Sequence, residues 1–207
     1  INWTLESAQK GGFDDFMSKE IREQPAAVAN TLLDRQGPDG SLVLDDTRIN
    51  VDELRHVDKV FIVACGSSYH AAMVAKYAVE RWARLPAEID IASEFRYRDP
   101  VLDEHTLAIG VSQSGETLDT LVAMRGARKN DAQVIVVSNV VDSSMAREAQ
   151  AVLYTRAGPE ICVASTKSFL AQLVALELLA LTLAQVRGTL QRAEMDHWLA
   201  KLREVTR

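Results

Sequence analysis

The chain has 207 residues, 47% of them hydrophobic and 25% charged, ordinary values for a globular domain with a sizeable core. Its formal net charge of -6 excludes a general nucleic-acid surface, so an anionic partner must be caught locally by dipoles and hydrogen-bond donors. With two cysteines, Cys65 and Cys162, and four scattered histidines, neither a disulfide framework nor a metal site is expected, and reduced thiols in the cytoplasm are.

The opening INWTLESAQKGG has no basic region followed by an apolar one, so no signal peptide is expected, and it starts without Met, as a fragment or processed chain would. Residues 13–35, FDDFMSKEIREQPAAVANTLLDR, read as a helix pair interrupted near Pro25, and the turn-rich QGPDGS follows. Residues 1–50 are accordingly taken as an N-terminal helical linker segment, and 51–207 as the main domain.

Five short apolar runs rich in β-branched residues come next, at 60–64, 89–92, 107–111, 134–137 and 152–155. Their near-continuous hydrophobicity suits strands buried on both faces of a parallel sheet. Helical spacing lies between them. SSYHAAMVAKYAVERWAR turns Ala71, Ala75, Ala78, Val79 and Trp82 inward, and TLDTLVAMRGARK does so with Leu118, Leu121 and Val122. The alternation predicts an α/β fold, a three-layer αβα sandwich with a five-stranded parallel sheet of flavodoxin-like type. Residues 163–187 read as a long helix, stopped by Gly188, and 189–203 as another with Thr189 as N-cap. The most lipid-like stretch, SFLAQLVALELLALTLAQV, carries Glu177 near its middle and is read as a buried or interface helix, with no membrane partner.

Chemistry concentrates where strands hand over to helices. Three junctions carry small polar residues: CGSSYH at 65–70, SQSGET at 112–117 and ICVASTKS at 161–168. In an open parallel sheet, ligands bind outside the carboxyl ends of the strands. Ser112, Ser114 and Thr117 are spaced to converge on one anion at a helix start, and Gly115 lets the backbone approach it. Ser114 or Thr117 alone would be an ordinary N-cap, but three hydroxyls with a glycine favour an anion site. No GxxxxGK[ST] is present, and GSSYHA has one glycine where a dinucleotide fingerprint needs three, so no nucleotide cofactor is expected.

SQSGET resembles the signature of the sugar isomerase (SIS) domain family, whose hydroxyls grip the phosphate of a phosphosugar. KEIREQP, ACGSSYHA, SQSGETLDT and AGPEICVASTKSF, in this order, are together similar to the first SIS domain of the glutamine–fructose-6-phosphate aminotransferases. That resemblance implies a phosphate cradle of Ser68, Ser112, Ser114 and Thr117, with Gln113 helping at the sugar-phosphate end. Ser67, with Gly66, would shape the first loop. Val163, Ala164 and Ser165 would approach the sugar carbons. Glu116 would favour a positive helix start rather than serve as a base, and Cys65 would be a packed thiol.

In that family the catalytic Glu, His and Lys belong to a second SIS domain and the tail. This chain is therefore expected to hold no catalytic residue and to bind fructose 6-phosphate or glucosamine 6-phosphate without turnover. The second SIS domain is an expected partner. A homodimer is expected too, through the apolar face of residues 170–183. Two other readings are a phosphosugar-sensing regulatory domain and a stand-alone aldose–ketose phosphate isomerase, for which His70 and Glu94 are the nearest acid/base candidates.

Overall fold

A computed structural model describes residues 9–206, so most of the N-terminal stretch read above for a signal peptide lies outside the described residues. Asp15 caps α1 (Phe16–Arg22) by accepting from Ser18 N at 2.7 Å, and α2 (Gln24–Leu32) follows at once. Pro25 stands in the first turn of α2, where its missing N–H costs nothing, and this is the expected interruption.

The rest of the chain alternates. After β1 (Asp46–Thr47) and α3 (Val51–Arg55) come β2 (Lys59–Ala64), α4 (Gly66–Ala78) with a π-helical turn at Val79–Ala83, β3 (Ala87–Ile91) and α5 (Ala92–Phe95). Then follow β4 (Thr106–Ser112), α6 (Leu118–Lys129), β5 (Gln133–Ser138), α7 (Ser144–Glu148), β6 (Ala151–Tyr154), α8 (Lys167–Arg187) and α9 (Arg192–Glu204).

The sheet runs β1-β6-β5-β4-β2-β3, parallel throughout except for the β1–β6 pair. Side chains alternate between its faces, as strand geometry requires. Val60, Ile62 and Ala64 join a core with α4 and α8, while Phe61 and Val63 join a second core with α5, α6 and α7. The strand order reverses between β2 and β4, which pair from Lys59↔Thr106 to Ala64↔Val111. That reversal opens a crevice at the carboxyl ends of the two strands.

Several expectations need correction. Among the described residues the sheet has six strands, not five: β1 is a two-residue antiparallel edge strand, too short and polar to show in a hydrophobicity pattern. Within residues 9–50, Val28, Leu42 and Ile49 pack into the main core. The long helix begins at Lys167, not at residue 163, and α9 begins at Arg192 with Gln191 as its N-cap. Thr189 instead donates to the carbonyls of Trp82 (2.5 Å) and Ala184 (3.3 Å). Gly188 does stop α8, in the left-handed conformation at φ +66. On α6, Leu118 is 65% exposed, and the buried face is formed by Thr120, Leu121, Ala123, Met124 and Ala127.

The apolar face of residues 170–183 is spent inside the chain. By length and composition α8 could cross a membrane, but Leu176, Leu178, Leu179, Leu181 and Leu183 are buried among α2, α3, α4 and the sheet. It is the central core helix. No unpartnered α8 face therefore supports the expected homodimer.

Candidate functional site

The strand ends line up. Ala64 pairs with Val111, Ser112 with Ser138, and Ser138 with Tyr154, so the loops after β2, β4, β5 and β6 leave one edge of the sheet together. Residues 112–117 form the central loop. Gly115 adopts φ +66, and a Cβ there would lie 2.5 Å from Ser143 Cβ and 2.8 Å from Ser138 Oγ. Only glycine fits both the conformation and the space. Its carbonyl accepts from Met145 N at 3.0 Å, which ties the loop to α7.

This turn gathers the three hydroxyls. Ser112 Oγ lies 2.9 Å from Thr117 Oγ1 and 3.5 Å from Ser114 Oγ. Ser112 Oγ also accepts from Gly115 N at 3.0 Å, and Ser114 Oγ accepts from Glu116 N at 3.1 Å. Each serine therefore spends a lone pair on the backbone, and in the 2.9 Å contact one of Ser112 and Thr117 donates to the other, so that pair keeps one proton for a partner. Thr117 occupies the N-cap position of α6 yet makes no side-chain cap bond. The ordinary capping role is not the one it performs. The first-turn N–H groups of a helix lack intrahelical acceptors and carry the positive end of the macrodipole, so this cluster can neutralise an anion with neutral donors.

The first loop stands across the switch point. Ser68 is buried at the start of α4, and Ser67 beside it is exposed. Gly66 has φ +60, and a Cβ there would meet nothing within 4 Å, so it is the backbone conformation alone that calls for glycine. Cys65 is half-buried at the N-cap position of α4 and makes no cap bond. Gln113 contributes its carbonyl, which accepts from Asn139 N at 3.1 Å.

Glu116 is exposed, and its carboxylate accepts from Ser144 N at 2.7 Å. That backbone hydrogen bond holds it below the usual carboxylate range. Glu116 thus precedes the Thr117 N-cap of α6 but spends its carboxylate on the start of α7. His70 and Glu94 are exposed, and no hydrogen bond among the described residues joins either to the hydroxyl cluster.

The third loop is held by Asn139, which sequence reading did not single out, and by Glu20 and Glu23, which it met only as members of KEIREQP. Asn139, buried after β5, donates through Nδ2 to Gly158 O at 2.7 Å and accepts from Ala157 N at 2.8 Å, joining this loop to Gln113. Glu20 on α1, also buried, accepts from Ile161 N at 2.6 Å and from Cys162 N at 3.2 Å. Glu23 pairs with buried Lys167 at 2.5 Å. KEIREQP therefore acts as a clamp on the third loop. Within the loop Val163 and Ala164 are exposed, and Ser165 Oγ lies 2.8 Å from Ser168 Oγ. The Ser-Asn pair at the end of β5 is the one signal that could have revealed Asn139; the glutamates act across more than a hundred residues.

A family model described as the SIS domain matches residues 53–182, the stretch that contains all three loops. The chain belongs to the SIS domain family. The SIS chain is 58% identical over 196 residues to the glutamine–fructose-6-phosphate aminotransferase (isomerizing) of Mycolicibacterium paratuberculosis, a match covering 95% of this chain and 31% of that protein. It is 55% identical over 205 residues to the enzyme of that name from Corynebacterium glutamicum, covering 99% and 33%. Among solved structures, the C-terminal domain of glucosamine-fructose-6-phosphate aminotransferase from Francisella tularensis superposes with a TM-score of 0.89 at 41% identity. That match covers 96% of this chain and 55% of that one. The SIS chain thus spans about a third of the length of the curated relatives it matches.

Proposed function

We propose that this SIS domain binds the phosphate of fructose 6-phosphate as part of a glutamine–fructose-6-phosphate aminotransferase, which makes glucosamine 6-phosphate. Ser68, Ser112, Ser114 and Thr117 surround the phosphate in this reading, and residues 163–165 face the sugar. The observation that carries it is Thr117: an N-cap residue whose hydroxyl forgoes the cap to join Ser112 at the mouth of α6. The relatives' names supply the substrate, and the protonated hydroxyls supply the chemistry that would hold it.

Binding without turnover is part of the proposal. Isomerisation needs a group that moves a proton between C1 and C2, and Glu116, the carboxylate nearest in sequence, is engaged with Ser144. A homodimer is included as well, supported by the outward face of α4, where Met73, Val74 and Tyr77 are exposed. Sedimentation at increasing concentration checks it; a monomer throughout would remove it.

Calorimetric titration with fructose 6-phosphate tests the binding. Ser114→Ala should lose about 1–3 kcal/mol of binding free energy with the fold intact. An unchanged affinity would take Ser114 out of the cradle. Appreciable proton exchange at C1 of the sugar would favour a stand-alone isomerase instead.

A further inference from the structure

The third loop has the opposite hydrogen-bond polarity to the second. Glu160 lies at the start of α8, where its Oε1 accepts from Thr166 N at 2.9 Å and from Ser168 N at 3.2 Å. Its Oε2 accepts from the hydroxyl of Ser168, which is fully buried. A serine hydroxyl has one proton. With that proton given to Glu160, the 2.8 Å contact between Ser168 and Ser165 must have Ser165 as the donor.

The consequence reaches the ligand side. Ser165 is only partly buried, and its one proton is turned inward, so it offers a ligand lone pairs alone. Ser114 does the reverse, accepting from the backbone N–H of Glu116, and the hydrogen-bonded Ser112–Thr117 pair, in which Ser112 accepts from Gly115 N, still has one proton to offer. Lone pairs repel a phosphate oxygen and accept from a hydroxyl.

We infer that Glu160 is a positioning residue which, through Ser168, fixes Ser165 as a hydrogen-bond acceptor for a sugar hydroxyl. This makes the third loop select the polyol end of the ligand and reject its phosphate. The inference rests on the proposed function for the location of the ligand, but the direction of the relay follows from Glu160 and the two serines alone.

The test uses Glu160→Gln. Two backbone N–H groups require an oxygen at the Oε1 position, so the amide nitrogen takes the place of Oε2 and donates to Ser168. Ser168 then donates to Ser165, which turns its proton outward. Fructose 6-phosphate and inorganic phosphate serve as calorimetric probes of the chain, and the ratio of their affinities isolates the sugar end.

Glu160→Gln and Ser165→Ala should each weaken fructose 6-phosphate by about tenfold while leaving inorganic phosphate unchanged. The double variant should lose no more than either single one, because both remove the same contact. A wild-type ratio in Glu160→Gln, or losses that add in the double variant as they would for a merely structural role, overturns the inference. Should Glu160→Gln fail to fold, Ser168→Ala takes its place with the same expectations, since it too frees the Ser165 proton. A wild-type chain that binds neither probe overturns the proposed function itself, a result distinct from a lost ratio.

Discussion

Replacing Gly115 by alanine separates two costs that the structure assigns to different glycines. At Gly115, φ +66 places an L side chain in the left-handed region, and its Cβ would meet Ser143 Cβ at 2.5 Å, Ser138 Oγ at 2.8 Å and Ser143 Oγ closer still. The conformational cost is about 1–2 kcal/mol and forcing a methyl into packed surroundings adds about 1–3, so Gly115→Ala should destabilise by about 2–5 kcal/mol. Rotation of the Ser143 hydroxyl cannot relieve the clash, because Ser143 Cβ is anchored at the N-cap of α7. Gly66 is the internal control: φ is +60 there too, but nothing lies within 4 Å. Gly66→Ala should cost only the conformational term, about 1–2 kcal/mol. Urea unfolding of both variants measures the difference. Equal losses at the two positions would refute the close packing of the central loop against α7, and with it the geometry that gathers the hydroxyls.

Three other outcomes follow from particular contacts. Thr117→Val should change stability by less than the roughly 1 kcal/mol of a lost N-cap, because no cap bond exists to lose, yet weaken fructose 6-phosphate by about tenfold or more in calorimetry. Asp45 accepts from Tyr154 N at 2.7 Å and pairs with both Arg35 and Arg156, and burial pulls the Arg35 guanidinium below its ordinary range, opposed by Asp45. Asp45→Asn should therefore cost about 3 kcal/mol in urea unfolding by stranding a buried charge. Glu177 on α8 is raised above the usual carboxylate range by burial alone. A raised folded-state value means its contribution is fully present below the unfolded value and is lost as pH rises through the folded one. Glu177→Gln should thus stabilise the chain at neutral pH and flatten its thermal stability profile above pH 5, roughly; an unchanged profile would contradict the unpaired burial.

What the sequence disclosed depended on range. Four of the parallel strands, β2, β4, β5 and β6, were legible because both faces are buried and each is a local apolar run, such as VFIVA at 60–64, whereas the edge strand β3 (AEIDI) is partly exposed. The inward residues of α4, Ala71 to Trp82, were legible for the same local reason. β1 was not, since Asp46 and Thr47 owe their strand conformation to backbone pairing with Val152 and Ala151, not to their own pattern. The start of α8 was misread because apolar Val163 continues a helical spacing, whereas Glu160 reaches forward to bind Thr166 N and Ser168 N and sets the helix start there.

The site divides in the same way. The gathering of hydroxyls and glycine in SQSGET was readable because these groups act on one another within six residues. Glu20 and Glu23 entered the sequence reading only as members of KEIREQP, and only the folded chain brings them to Ile161, Cys162 and Lys167. The polarity of Ser165 was beyond any pattern, since it depends on where one proton goes two side chains away.

The phosphate cradle is tested most directly by a crystal of this chain soaked with fructose 6-phosphate. The phosphate should then stand at the mouth of α6, with its oxygens within hydrogen-bond distance of Ser114 and Thr117. Density for the ester at any other place, with that loop unoccupied at saturating ligand, would contradict the cradle.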